Sequence, residues 1–358
     1  MNINFVLEKN DFDWNEAIEA AKPVNDCIPV ESQHPLYILH TSGSTGTPKG
    51  VVRDTGGYAV AMKYSMKFVF DTNPGECFWA ASDIGWVVGI IAITINYYHN
   101  LNTTTTGHSY IIYGPLIQGL STVMYEGKPV GTPDESNFWR TVERHKVNKM
   151  FTAPTALRAI KKIDSDGLLP QKFDLSSLKG LFLAGERADP DTLHWGENSL
   201  KHPLLDNWWQ TETGWPMCSN HIGMKIKYGS AGRAVPGFDI HIVDDSGNSL
   251  GNNKLGTIAV KLPMPPGFML SLHGSDSKFI SSYLSKYNGF YDTGDEGKID
   301  DDNYVYIMSR TDDVINVAGH RISCGQIEEI LCDHHDVTEC AVIGIKDLLK
   351  GIQISFIA

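Results

Sequence analysis

The chain has 358 residues, 42% of them apolar and 20% charged, which is enough to bury one large core or two. With 42 acidic against 30 basic side chains the formal charge is −12. That balance argues against a nucleic-acid partner, which needs a basic face, but leaves room for an anionic nucleotide held by a few local cations and backbone donors. The six cysteines include no C-x-x-C pair, and Cys324, Cys332 and Cys340 are evenly spaced with His334 among them. This pattern reads as buried thiols in a reducing compartment ahead of a metal site.

Met1–Asn10 has no basic stretch followed by an apolar run, so no targeting segment is expected. The longest apolar stretch, Trp86–Tyr98, is interrupted by Gly89, Thr94 and Asn96 and is too short to span a bilayer, so no membrane span is expected. Trp14–Ala21 reads as a helix ending before Pro23. Leu36-Tyr37-Ile38-Leu39 reads as a buried strand that runs into Thr41-Ser42-Gly43-Ser44-Thr45-Gly46-Thr47-Pro48-Lys49-Gly50. Glycines in such a loop let backbone N–H groups converge on one anion, hydroxyls add donors, and Lys49 adds a compact positive charge suited to a polyphosphate. The loop lacks Gly-Lys-Ser/Thr and is not a Walker A loop. The bland alternative is a flexible Ser/Thr/Gly linker.

Asp54 or Thr55 caps a helix predicted to run to about Phe70, and Cys77–Ala81 reads as the next strand. Ser82–Gly89 and His108–Leu116 flank the eighteen residues Ile90–Gly107, which are rich in Ile, Asn, Tyr and Thr. Strand and helix signals then alternate. Thr122–Glu126, Lys149–Phe151 and Gly180–Ala184 read as strands; Asn137–His145 and Thr155–Lys162 read as helices, with another opening at Asp189. This alternation predicts an α/β fold with a parallel sheet, whose ligands sit at the carboxyl ends of the strands. Two motifs fall at such ends. One is Gly185-Glu186-Arg187. The other, after Pro203–Leu205, is Asp206-Asn207-Trp208-Trp209-Gln210-Thr211-Glu212-Thr213-Gly214. Two indoles offer flat faces to an aromatic base, and a glutamate suits a hard cation such as Mg2+. From Gly229 to Leu262 the pattern is β-rich, with strands at Asp239–Val243 and Gly256–Lys261. Tyr291–Asp295 and Met308–Arg321 follow; beyond them Gln326–Leu331 reads as helix and Thr338–Ile345 as strand.

These segments together resemble the adenylate-forming acyl-CoA synthetases, and their wording resembles the short-chain branch that handles acetate and propionate. The resemblance spans most of Pro35 to Ile345. It implies a large N-terminal domain over 1–312, with parallel sheets, flanking helices and a small β-rich subdomain. It also implies the start of a small mobile α+β domain over 313–358. Activity would be ligation of a short-chain acid to coenzyme A through an acyl-adenylate, with ATP, Mg2+ and coenzyme A as cosubstrates and cofactor. The compartment would be the mitochondrial matrix or the cytosol.

By the same resemblance, Thr41, Ser42, Gly43, Ser44, Thr45, Gly46 and Lys49 would hold the ATP phosphates. Gly185, Glu186 and Arg187 would lie against the adenine, with Asp206, Asn207, Trp208, Trp209 and Gln210 beside it. Thr211 would contact a phosphate and Glu212 would hold Mg2+. Asp295 and Arg310 would bind the ribose and Arg321 the phosphate. Asp312 would be the hinge, and Ala318 and Gly319 would line the coenzyme A path. Val87, Val88 and Trp209 would wall the acyl pocket, and His334 would lie near a second metal position.

Deleting Ile90–Gly107 restores the pocket segment in register, so those residues read as an insertion, translated intron sequence rather than a surface loop. The family also carries a longer portion before the phosphate loop and a catalytic lysine in a Gly-Lys motif beyond the last residue here. The chain is therefore expected to be truncated at both ends. The alternative on that expectation is a non-catalytic nucleotide-binding remnant.

Overall fold

A computed structural model describes residues 12–41, 48–81, 109–125, 127–131, 133–186, 188–311, 314–317, 320–324, 340–347 and 351–357, with residues 327, 331, 334 and 337. Two compact units are present, one through Glu31 and one from Ser32 onward. In the first, helix α1 (Trp14–Ala20) starts at Asp13, whose carboxylate accepts from the Asn15 and Glu16 N–H groups and so satisfies two of the orphan donors of the first turn.

The second unit is built on a seven-stranded sheet in the order β4 (Ser121–Thr122), β3 (Cys77–Ala80), β5 (Lys149–Thr152), β6 (Gly180–Leu183), β7 (Leu204–Trp208), β8 (Cys218–Ser219) and β9 (Arg233–Ala234). The pairs from β4 to β7 are parallel, and β8 and β9 add antiparallel pairs. Strands β5 and β6 are buried at every residue, because both sheet faces are covered. Phe151, Phe182 and Leu205 point to one core with Tyr58 and Met62 from helix α2 (Gly56–Tyr64) and Met66 from the turn that follows it. Met150, Leu181, Leu183 and Leu204 point to the other, with Trp139, Leu157 and Leu193. Those three come from α4 (Asn137–His145), α5 (Pro154–Ile163) and α6 (Pro190–Leu200); the short α3 (Gly114–Gln118) precedes them in the chain.

The α/β architecture expected from the alternation is present. Several elements differ in extent. The helix expected to reach Phe70 is α-helical to Tyr64 and continues as a π turn over Ser65–Val69. Asp54, rather than Thr55, serves its cap, accepting from Gly57 N–H at 2.8 Å. The strand expected over 122–126 is only Ser121–Thr122, an edge strand paired on one side with β3. The strand expected to be buried before the phosphate loop is β1 (Pro35–Thr41), and only Thr41 in it is buried. The reason is position: β1 is at the edge of a three-stranded antiparallel sheet whose centre is β2 (Lys49–Asp54) and whose other edge is β12 (Ser271–Leu272).

A four-stranded antiparallel sheet holds the second half of the unit, in the order β10 (Ile240–Val243), β11 (Gly256–Lys261), β13 (Phe290–Ile299) and β14 (Val305–Arg310). Helix α7 (Asp276–Tyr283) lies between β12 and β13 in the chain. Two hairpins follow, β15 (Val314–Val317) with β16 (His320–Ser323) and β17 (Ala341–Asp347) with β18 (Gly351–Ile357).

Arg53 ties the sheets together. It is fully buried on β2, and its Nη1 donates to the Glu212 and Gly267 carbonyls while Nη2 donates to the Thr211 carbonyl. Its guanidinium lies over the Tyr58 ring, 5.0 Å from the centroid. A lysine cannot reproduce this planar fork. Arg53→Lys should leave at least one of these carbonyls unpaired and lower stability by about 2–4 kcal/mol, read from urea unfolding. An unchanged unfolding midpoint would show that the carbonyls do not depend on the fork.

Candidate functional site

The site forms where the end of β7 meets β13, β14 and α7. After Trp208 the chain turns tightly: Gln210 O accepts from the Thr213 and Gly214 N–H groups, and Gln210 N–H donates to Thr213 Oγ1 at 3.1 Å. Gly214 closes the turn at φ +78°; a Cβ there would stand 2.8 Å from Arg53 Cζ, so both conformation and space require glycine. The turn projects Gln210 toward β13 and Glu212 toward α7.

Gln210 is the junction. Its Nε2 donates to Asp295 Oδ2 at 2.6 Å and to the Thr293 carbonyl at 2.7 Å, and its Oε1 accepts from the Tyr291 hydroxyl at 2.6 Å. The strand period brings these partners together, since Tyr291, Thr293 and Asp295 alternate onto the buried face of β13. Across the ladder Asp295 pairs with Arg310, whose Nη1 stands 3.3 Å from Asp295 Oδ1. Burial pushes the Asp295 carboxyl up to about 6, against the pull of Arg310 and the Gln210 bond.

Glu212 has a different partner. The Tyr283 hydroxyl, at the end of α7, donates to Glu212 Oε1 at 2.7 Å, and Lys49 Nζ stands 3.5 Å from the same hydroxyl and 4.9 Å from the Tyr283 ring centroid. Burial first and the nearby Glu212 carboxylate second raise the Tyr283 hydroxyl above the usual phenol range, so it stays a donor. Trp209 stands edge-on to Tyr110, with ring centroids 5.5 Å apart at 80°, and is tilted on Phe151 at 6.4 Å.

Thus Lys49, Gln210, Glu212, Asp295 and Arg310, drawn from distant parts of the chain, are linked by the contacts described. Asp206 and Asn207 are buried on β7, and among the described residues neither amide atom of buried Asn207 has a hydrogen-bond partner, nor does the Thr41 hydroxyl. These groups, with the Glu212 oxygen that bonds no described residue, suit an oxygen-rich ligand and a hard cation. Gly185 sits at the end of β6 with φ +102°. Glu186 is engaged within the fold: its Oε1 accepts from Thr155 N–H at 2.6 Å and from the Thr155 hydroxyl, and its Oε2 pairs with Arg158 at 2.8 Å. His334 is exposed, and no group of three or more potential metal ligands occurs among the described residues. Ser42, Gly43, Ser44, Thr45, Gly46, Val87, Val88, Ile90–Gly107, Arg187, Cys332, Asp312, Ala318 and Gly319 lie outside the described residues. Arg321 is placed on β16 opposite Asn316. Sequence reasoning missed Arg53 and Tyr283. The first looks like a surface charge beside Asp54. The second forms with Phe279 an i, i+4 pair that reads as core.

The AMP-binding enzyme family matches residues 2–267, and the chain belongs to that family. It is 49% identical over 345 residues to the human mitochondrial acyl-CoA synthetase short-chain family member 3, covering 95% of this chain and 48% of that protein. It is 43% identical over 339 residues to the propionate–CoA ligase of Escherichia coli, covering 92% of this chain and 51% of that one. The chain thus spans about half the length of the curated relatives it matches. The crystal structure of an anthranilate CoA ligase in complex with anthranoyl-AMP superposes with a TM-score of 0.78 at 23% identity, over 98% of this chain and 61% of that one, which shows the same fold. No described helix is long and apolar enough to cross a membrane.

The Asp295 carboxyl binds its proton more tightly in the folded chain than at the usual 3.8. Its contribution therefore favours folding below pH 3.8 and is lost as pH rises through about 6. Relative to wild type, Asp295→Asn should gain about 3 kcal/mol of stability between pH 4 and pH 7, with no further change above, by urea unfolding at stepped pH. A gap that narrows over this range would mean that Arg310 overcomes the burial.

Proposed function

We propose that the protein ligates a short-chain carboxylic acid, acetate or propionate, to coenzyme A through an acyl-adenylate. What carries the reading is the Gln210 junction in a chain of the AMP-binding family. One four-residue stretch, Trp209–Glu212, supplies a pocket wall, a link to a buried carboxylate and a second carboxylate beside a lysine. The relatives named for short-chain acyl-CoA synthesis and propionate–CoA ligation support the choice of acid.

In the first half-reaction a carboxylate oxygen of the acid attacks the α-phosphorus of ATP and the bond to pyrophosphate breaks. In the second, the coenzyme A sulfur attacks the acyl carbonyl, its proton is lost and AMP leaves with the C–O bonding pair. Neither step needs a covalent enzyme nucleophile. Lys49 and the donors of Thr41–Gly50 cradle the phosphates, and the Thr211 hydroxyl reaches a phosphate oxygen. Glu212 holds Mg2+, which when bound supplies positive charge against the phosphates. Asp295 accepts from the ribose hydroxyls with Arg310 beside it. Gly185–Arg187 and Asp206–Gln210 border the adenine, and Arg321 contributes charge to the phosphate. Asp312 is the hinge between a domain over 1–312 and a second, mobile one over 313–358, where Ala318 and Gly319 border the path of coenzyme A. Val87 and Val88 would wall the acid pocket together with Trp209.

The test is AMP formation that requires acid, ATP and coenzyme A together; AMP release independent of the acid would sink the reading. Trp209 limits chain length because its indole fills space against Tyr110 and Phe151. Trp209→Gly should raise kcat/KM for a five- or six-carbon acid over that for propionate by about tenfold or more, since each buried methylene gains roughly 0.8 kcal/mol. An unchanged chain-length profile would remove Trp209 from the pocket.

A further inference from the structure

The hydroxyl of Tyr283 sits between a lysine and a glutamate that come from opposite sides of the site. Lys49, near the end of the phosphate loop, is the first residue of β2, and Glu212 follows β7. Tyr283 itself is the last residue of α7 and is 7% exposed. Its ring is stacked on Tyr291 at 5.8 Å and 24°, and Tyr291 in turn bonds Gln210. The ring is therefore fixed by neighbours that also fix the Asp295 side of the site. The hydroxyl has one proton to give and gives it to Glu212 Oε1 at 2.7 Å; its lone pairs face Lys49 Nζ at 3.5 Å. Donor directions run one way, from ammonium to phenol to carboxylate, so each bond polarises the next. Glu212 Oε2 has no hydrogen bond to a described residue.

We propose that Tyr283 is a positioning residue for the nucleotide's divalent cation: it holds Glu212 by one oxygen so that the other is presented to the metal, and it couples that carboxylate to Lys49. The proposal rests on the reading of Glu212 as the cation's ligand. A carboxylate that binds a metal with one oxygen is commonly oriented by a hydrogen bond on the other. Without that bond Glu212 is free to turn its oxygens or to pair directly with Lys49, and the cation loses a pre-set ligand. Tyr283 touches no reacting atom, so its effect should appear in the cation requirement of nucleotide binding.

The experiment titrates Mg2+ into protein and ATP, following ATP binding by calorimetry, with a parallel measurement in EDTA. No turnover is needed. Tyr283→Phe keeps the ring stacking and removes only the donor. It should raise the half-saturating Mg2+ concentration about tenfold, in the range typical of a lost orienting partner, and leave ATP affinity in EDTA unchanged. In a Glu212→Gln background, Tyr283→Phe should produce no additional shift. An unshifted Mg2+ midpoint in Tyr283→Phe overturns the proposal while leaving the ligase reading intact. Equal losses of ATP affinity with Mg2+ and in EDTA, or unfolding of the variant, make Tyr283 a packing residue and also overturn it. Wild-type binding of ATP that is indifferent to Mg2+ removes Glu212 as a cation ligand, and the proposal falls with it.

Discussion

Arg53 is the constraint on which the site depends. A fully buried guanidinium, with no ion-pair partner among the described residues, is held by three backbone carbonyls and a tyrosine face. Carbonyl dipoles and a π surface stabilise the charge in a region where water is excluded. In return, the fork fixes the peptide planes of Thr211 and Glu212 and the Gly267 bend. The Glu212 carbonyl accepts from Met269 N–H at 3.0 Å as well, so the two loops are pinned at one point. Side chains that leave this rigid segment leave it in defined directions. Gly214 belongs to the same arrangement, because any side chain there would occupy the space of the guanidinium.

The aromatic core runs unbroken from the sheet to Trp209. Phe70 contacts Phe78, Tyr110, Phe151 and Phe182 with centroid separations between 4.9 and 5.6 Å, and Tyr110 and Phe151 then flank Trp209. The polar ends of these rings are used. The Tyr110 hydroxyl donates to Ser65 Oγ at 3.0 Å within the π turn, and the Tyr58 hydroxyl donates to Ser109. A ring packed edge-on against one aromatic neighbour and tilted on another has little freedom to rotate. The same rings that hold the core therefore hold the indole.

Two carboxylates in the site are treated in opposite ways. Asp295 is buried on the inward face of β13 and is compensated by a glutamine amide and a guanidinium. Glu212 is half-buried and compensated by one phenol. Different surroundings give two like groups different roles, one anchored to the fold and one with an oxygen that bonds no described residue.

The α/β class, the parallel strands β5 to β7 and the motifs at their carboxyl ends were legible in the sequence. Local signals carry them: apolar runs of strand length, a capping aspartate at Asp189 and a glycine turn at Gly185. Residues 206–214 and 291–295 were legible through their resemblance to the motifs of the adenylate-forming family. The links between them were not legible. That Gln210 joins Asp295 depends on the period of β13 and on which sheet it faces, and both are properties of the assembled chain. The burial of Arg53 was hidden because a charge next to Asp54 reads as surface, and only long-range packing supplies three carbonyls around it. Tyr283 was hidden because its helix spacing matches an ordinary core position, and only the approach of Lys49 and Glu212 makes its hydroxyl functional. Sequence alone determines which residue types are available and on which local element each lies. Tertiary structure alone decides which of them meet, since hydrogen bonds and charge pairs act over a few ångströms whereas these partners lie 71 to 234 residues apart.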